Sequence, residues 1–444
     1  MNNTQLRIFV IADDLTGAAD TAIQFRTSVR KVRVGFSETM PWNLTLDSQV
    51  VQAYDSESRA LDSEQAYQKV LKSTSLLKPI LHQGVHVYKK VDATLRGNMG
   101  AEILAILTAL GKRTALLAPA FPSTERTVVD GRLLIHGIPV NETVFYSDPI
   151  HPITSAVIAD SVTKGFPFPI HQIPLATIRA GETAILQQIQ TSQVEPRIFI
   201  ADAETNEDLL KIARAIGDRE EVLPCGSGGL AYALSTLWNV GFSGGSMLTE
   251  TPATQPWTER HPICEKVMVT VGSAHTMAHQ QFNCLKQQVG IHAITLSSTR
   301  LTETSQRTDE LLQASKNILS AEEDILLIGL ASERVSLSKS KNLESTLSSL
   351  AVMKLQQWLK QHSHGQIGLV ATGGDTALAV CQTLNATAIW SEGEVMSGIP
   401  WSRLELNDGE IIFVSKAGAL GTANTLVDIV EWMTGRSAKI IECK

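Results

Sequence analysis

Two carboxylates, Asp13 and Asp14, close the first apolar run of the chain (residues 6–12) and open the stretch Leu15-Thr16-Gly17-Ala18-Ala19-Asp20. At the carboxyl end of a strand they stand where open α/β sheets bind ligands, although Asp before a helical run also serves as a helix cap. A second group, Lys89-Lys90-Val91-Asp92-Ala93-Thr94-Leu95-Arg96-Gly97-Asn98, follows another β-rich run. Period-two alternation sends Lys90 and Asp92 to one face and Lys89 to the other, and leaves Thr94, Arg96 and Asn98 in the turn. A third group, Asp55-Ser56-Glu57-Ser58-Arg59, follows the run ending at Tyr54. Arginine forks and lysine ammoniums suit a carboxylate, while Asp, Thr and Asn suit vicinal hydroxyls. Together the groups read as a site for a small polyhydroxy acid; singly, each reads as a solvated sheet edge.

The second half carries different chemistry. Three glycine-bearing turns each follow a β-rich run: Val271-Gly272-Ser273-Ala274, Thr372-Gly373-Gly374-Asp375-Thr376, and Lys416-Ala417-Gly418-Ala419-Leu420-Gly421-Thr422. Glycine lets backbone N–H groups approach an anion, and a following helix N-terminus favours negative charge, so three such turns suggest a nucleotide phosphate site. Each turn alone is equally explained as a tight strand-to-helix connection. No GxxxxGK[ST] sequence occurs, which excludes an ordinary P-loop. The GxGxxA match at Gly226, Gly228 and Ala231 lacks the strand and acidic residue that a dinucleotide fingerprint requires, and reads better as a packed helix start. It leaves an NAD(P)-linked dehydrogenase as the alternative enzyme class. His275 and His279 share the spacing of a zinc motif, but Thr276 stands where such sites carry their Glu base.

Elements able to position these groups follow from periodicity. Strand-like runs at 6–12, 32–36, 50–54, 85–90 and 114–118 alternate with helical stretches at 18–29, 63–77 and 99–110. Residues 131–146 interrupt that order with spaced Gly and Pro, as a hairpin would. Alternation resumes with strands at 266–271, 293–296, 324–329, 366–371 and 410–415, and helices at 276–288, 309–319 and around Leu343, Leu347, Leu350, Leu355 and Leu359. The expected class is α/β, with two domains, each a largely parallel sheet with flanking helices. Residues 242–264, rich in Gly, Ser, Thr and Pro, read as a linker between a domain at 1–241 and one at 265–444.

Composition closes several alternatives. Hydrophobic residues make up 43% and charged residues 19%, the balance of a water-soluble globular protein rather than a disordered one. The 45 acidic and 38 basic side chains give a formal charge of -7, which repels phosphodiester backbones, so no nucleic-acid partner is expected. Five cysteines at wide spacings, with no CxxC pair, argue against a disulfide framework and a thiolate metal site and suit a reducing cytoplasm. Apolar windows fall far short of the roughly 20 residues that a membrane helix needs.

The ordered motifs IADDLTGAAD (11–20), KKVDATLRGN (89–98), PAFPSTERTVVDG (119–131), GSGGLA (226–231), VGSAHTMAHQQ (271–281), ATGGDTA (371–377) and KAGALG (416–421) span nearly the whole chain. In them the chain resembles the four-carbon acid sugar kinase family, and most of all its D-threonate kinases. The resemblance implies an N-terminal sugar-acid domain, a C-terminal ATP domain and a ligand cleft between them. Asp14, Arg59, Lys89, Lys90, Asp92, Thr94 and Arg96 would hold the sugar acid; Ser273, Gly373, Gly374, Asp375, Thr376 and Gly418 would hold ATP. Ala93 stands where the family usually has Ser, and Glu125 where Gly often precedes the arginine, here Arg126. The expected reaction is transfer of the ATP γ-phosphoryl to the terminal (4-) hydroxyl of D-threonate, with D-erythronate, L-threonate or a 3-oxo-tetronate as alternatives and a non-catalytic sensor as the remaining class. Asp14 or Asp92 would be the general base, and Asp375 a contact for Mg²⁺. The same reading admits a homodimer.

Overall fold

In the computed structural model the described residues are 7–27, 30–36, 42–44, 49–147, 152–166, 168–189, 195–238, 263–331, 343–362, 366–396, 398–407 and 409–436. The chain divides into two compact units, Met1–Met247 and Leu248–Lys444. The expected linker at 242–264 lies, except for its last two residues, outside the described residues.

In the first unit β1 (Arg7–Ala12), β2 (Lys31–Gly35), β3 (Val50–Asp55), β4 (Val85–Lys90) and β5 (Thr114–Ala118) are joined by β9 (Ile170–Ile173), β10 (Arg197–Ala201) and β11 (Val222–Gly226). Their order is β2-β3-β1-β4-β11-β5-β10-β9, and every pairing is parallel. Such strands are buried on both faces and read as unbroken apolar runs, as RIFVIA, TALLA and RIFIA do. Helices such as Leu15–Ile23, Ser63–Ser75 and Met99–Leu110 make the crossovers. The interruption expected at 131–146 is an antiparallel excursion of β6 (Arg126–Val129), β7 (Arg132–Ile135) and β8 (Ile138–Pro139), followed by short 3₁₀ turns.

In the second unit β12 (Lys266–Val271), β13 (Ile291–Leu296), β14 (Ile325–Leu330) and β15 (Ile367–Thr372) form a parallel group. It continues into β18 (Gly409–Lys416), and the order is β13-β14-β12-β15-β18-β17-β16. The last two, β16 (Ala388–Met396) and β17 (Ile399–Leu406), are antiparallel and were not expected from periodicity. Between the expected strands at 366–371 and 410–415 lie the helix Gly374–Thr383 and these two strands. Their core packs Val267, Val269, Val271, Phe282, Leu327, Val370, Ile412 and Val414 against Leu426 and Val430 of the helix Thr425–Thr434. Cys225, Cys264 and Cys381 are buried free thiols, whereas Cys284 is disulfide-bonded, against the expectation of no disulfide framework.

Candidate active site

Parallel pairing brings the carboxyl ends of β1, β3 and β4 to one edge of the first unit, with Ala12 opposite Asp55 and Ile11 opposite Lys89. All three charged groups of the sequence therefore emerge there. Asp14 caps the helix Leu15–Ile23, its Oδ1 accepting from the Gly17 N–H at 2.9 Å, so the capping alternative holds for this residue. It does more than cap. Arg59 donates from Nη1 to Asp14 Oδ2 at 2.7 Å, and from Nε and Nη2 to the two oxygens of Asp13 at 2.8 and 3.0 Å. Asn98 fixes the loop that presents Arg59 by donating to the carbonyls of Ser58 and Leu61 at 3.0 and 2.9 Å.

Asp92 is saturated. Its Oδ2 accepts from the N–H and hydroxyl of Thr94 and from Nε of Arg96 at 3.0 Å, its Oδ1 accepts from Arg96 Nη2 at 3.0 Å, and Arg59 Nη2 lies 3.7 Å away. Burial alone would raise this carboxyl, but the Arg96 and Arg59 guanidiniums outweigh it and hold Asp92 well below the usual carboxylate range. Asp13 is lowered in the same way, its burial outweighed by Arg59. Asp55 goes the opposite way: burial, reinforced by the charge of Asp14, raises it well above its ordinary value.

Lys89 is not brought to this group. It points to the other face, as alternation predicts, where its fully buried ammonium pairs with Glu102 at 2.6 Å. Ser58 donates to the same carboxylate at 2.5 Å, and Ser56 donates to the Ala12 carbonyl at 2.7 Å. Lys90 takes the opposite face: its Nζ stands 3.2 Å from where a Cβ on Gly17 would lie.

In the second unit β12, β15 and β18 are neighbours, with Val271 opposite Thr372 and Thr372 opposite Lys416. The three glycine turns therefore lie side by side. Gly373 has φ +106°, the left-handed region that glycine favours, and sits at the N-cap of the helix Gly374–Thr383 with no side chain capping it. Its first N–H groups are thus left for another acceptor. A Cβ on Gly418 would collide with the Ser273 hydroxyl, and one on Gly272 with the Thr376 hydroxyl, so Ser273, Gly373, Thr376 and Gly418 form one cradle. Asp375 is exposed on the first turn of that helix. Lys416, fully buried, donates to the carbonyls of Ala417 and Leu420 at 2.7 and 2.9 Å, and burial pushes its ammonium down to about 7. Gln281 holds the same loop from the carbonyls of Leu420 and Thr422 at 2.9 and 2.8 Å.

Two family models match the chain, a sugar-binding N-terminal domain over residues 8–234 and a nucleotide-binding C-terminal domain over 268–426. A D-threonate kinase from Bordetella bronchiseptica is 31% identical over 95% of this chain and 96% of its own length. The chain belongs to the four-carbon acid sugar kinase family. It is a phosphotransferase with an alcohol acceptor, and kinship of this kind implies ATP as donor. A D-threonate kinase from Salmonella typhimurium is 29% identical, covering 96% of this kinase and 98% of itself. A D-erythronate kinase from Heliobacterium modesticaldum is 28% identical over 96% and 97%. The fold also matches a solved Salmonella typhimurium structure, provisionally called a tRNA synthase, with TM-score 0.73 at 22% identity, covering 95% of this chain and 98% of that one.

Within this kinase the structure gathers Asp14, Arg59, Asp92, Thr94 and Arg96, and separately Ser273, Gly373, Thr376 and Gly418. Sequence reasoning passed over Thr16, Asp20 and Arg126, although all three lie in the quoted motifs. Glu125 has φ +57°, the left-handed region that glycine favours. The GxGxxA segment is a packing device: a Cβ on Gly226 would stand 2.6 Å from the Ala118 carbonyl oxygen, and one on Gly229 2.8 Å from that of Ala120. His275 accepts from the Met277 N–H through Nδ1 at 3.1 Å and so caps its helix. Among the described residues no helix is long and apolar enough to cross a membrane.

Proposed function

We propose that this kinase phosphorylates the terminal hydroxyl of D-threonate, holding the acid in its first unit and ATP in its second. Two D-threonate kinases at 31% and 29% identity over nearly the full length carry this choice among the four-carbon acids. The polar edge built from Asp14, Arg59, Lys90, Asp92, Thr94 and Arg96 supports it with the cations and hydroxyl-binding groups that a tetronate requires. The cradle of Ser273, Gly373, Thr376 and Gly418 supports the ATP assignment: its uncapped helix N-terminus and close backbone suit phosphate oxygens.

Of the two candidate bases, Asp14 is the better fitted. It has one donor on each oxygen and keeps part of its side chain accessible, whereas Asp92 is saturated and held far below the range of a useful base. In this reading Asp14 orients the attacking hydroxyl and receives its proton, while Arg59 fixes the carboxylate rotamer. Mg²⁺ would neutralise charge on the transferred phosphoryl, with Asp375, exposed beside the cradle, as the carboxylate nearest to hand in sequence. A comparison of kcat/KM for D-threonate, D-erythronate, L-threonate and 3-oxo-tetronate tests the substrate choice. D-threonate is expected to lead, and a tenfold or larger preference for another acid, about 1.4 kcal/mol, overturns it.

A further inference from the structure

The polar groups of the first unit fall into two kinds. Asp13, Arg59, Asp92, Thr94 and Arg96 spend their hydrogen bonds on one another. Beside them lies a set that spends almost none. The Thr16 hydroxyl, Asp20 Oδ1 and Arg126 Nε are buried with no hydrogen-bond partner among the described residues. The Lys90 ammonium, in a residue only 5% exposed, makes no hydrogen bond or ion pair among the described residues. Among the described residues Arg126 otherwise makes only a weak bond, from Nη1 to the Thr124 carbonyl at 3.4 Å.

These residues come from three separate elements and converge. Thr16 and Asp20 are i and i+4 on the helix Leu15–Ile23, hence on one face. Lys90 ends β4 and reaches over Gly17, between them in sequence. Arg126 begins β6, and the charges of Lys90 and Arg126 both act on Asp20. Burial raises the Asp20 carboxyl, with the two cations pulling the other way. Native proteins leave few buried polar atoms unpaired, so four unspent groups in one neighbourhood mark the outline of a missing polar ligand.

We propose that Thr16, Asp20, Lys90 and Arg126 form the subsite that selects the sugar acid, Lys90 and Arg126 taking its carboxylate and Thr16 and Asp20 its inner hydroxyls. The assignment rests on the four-carbon acid reading and makes it specific. Two cations facing one carboxylate favour an acid over a neutral polyol, because desolvated cations left without an anion are costly. Asp14 lies next along the same helix start, its Oδ1 2.5 Å from the Cβ position of Gly17 that Lys90 also approaches, which leaves the far end of the ligand for the reacting hydroxyl.

The test uses the full-length enzyme with Arg126→Met, Arg126→Lys, Asp20→Asn and Thr16→Val, each checked for folding by its thermal transition. KM is measured for D-threonate and for ATP, D-threonate binding is measured by calorimetry without ATP, and D-threitol serves as the uncharged analogue. Arg126→Met and Asp20→Asn are expected to raise the KM and Kd for D-threonate roughly 10- to 100-fold and leave the KM for ATP within about twofold. Arg126→Lys should recover part of the loss, and Arg126→Met should erode the preference for D-threonate over D-threitol. Folded Arg126→Met and Asp20→Asn enzymes with unchanged D-threonate binding would overturn the subsite while the substrate reading stood. A wild-type enzyme turning over no four-carbon acid would instead overturn the reading beneath it.

Discussion

Asp92 and Asp14 stand at one sheet edge and differ in what their oxygens already hold, and on the proposed function that difference separates a structural carboxylate from the general base. Asp14→Asn should lower kcat by roughly 10² to 10⁴ with a smaller change in KM, the loss expected when a general base is removed. Asp92→Asn should act on stability, since taking a charge from two guanidiniums in a buried network typically costs about 3 to 5 kcal/mol, read as a shift of the denaturant midpoint. Because the folded carboxyl of Asp92 is depressed, its stabilisation is full above the unfolded value near 4 and is lost as pH falls through the folded value. The acid side of the stability profile should therefore be flatter in Asp92→Asn. Lys89 belongs with the structural group. Lys89→Met leaves the buried Glu102 carboxylate uncompensated and should destabilise by a comparable amount, whereas Lys89→Met with Glu102→Leu should recover most of it. A selective rise in KM for the acid in a stable Lys89→Met enzyme would return Lys89 to the binding site.

At the level of elements, the sequence announced what is periodic and local. The parallel strands are apolar runs because both faces are covered, so β1, β3, β4, β12 and β15 were legible, and strand ends delivered Asp14, Lys90, Asp92, Gly373 and Gly418 to sheet edges without further information. Strands β16 and β17 were not, because the buried positions beside Glu392, Glu394 and Arg403 include Ser391, Gly393 and Ser402, which leaves little apolar alternation to read. Lys89 and Lys90 show the limit of such reading: alternation assigned their faces, but only the position of Glu102 on the helix Met99–Leu110 fixed what Lys89 does there. Thr16 and Asp20 share a helix face, but their grouping with Arg126 was invisible because it depends on tertiary packing. In the glycine cradle the sensitive position is Gly373, whose φ of +106° no β-branched residue adopts readily. Gly373→Val and Gly418→Ala should raise the KM for ATP at least about tenfold and leave the KM for the acid nearly unchanged. Lys416 adds a pH signature. Its folded value near 7 lies below the unfolded 10.5, so the unfolded chain binds more protons between those limits and this residue makes stability rise with pH across that window. Denaturant midpoints at pH 6.5 and 9 should show a smaller rise in Lys416→Met than in the wild type.

For the whole molecule, the two units divide the work between an edge rich in charged and hydroxyl groups and an edge of glycine turns, and the two matched domains follow the same division. A net charge of -7 gives neither anionic ligand a favourable long-range field, so in the proposed reading recognition rests on the local cations Lys90 and Arg126 and on backbone N–H groups. Arg126 and Asp20 variants in the first unit should move kinetic constants for the acid, and Gly373 and Gly418 variants in the second those for ATP. The measurement closest to the centre of this account is coupled ADP release by the purified full-length enzyme with Mg-ATP and each of the four tetronates. The account predicts ADP release that depends on the acid, with the highest kcat/KM for D-threonate. ADP release that stays at background with every four-carbon acid would contradict it.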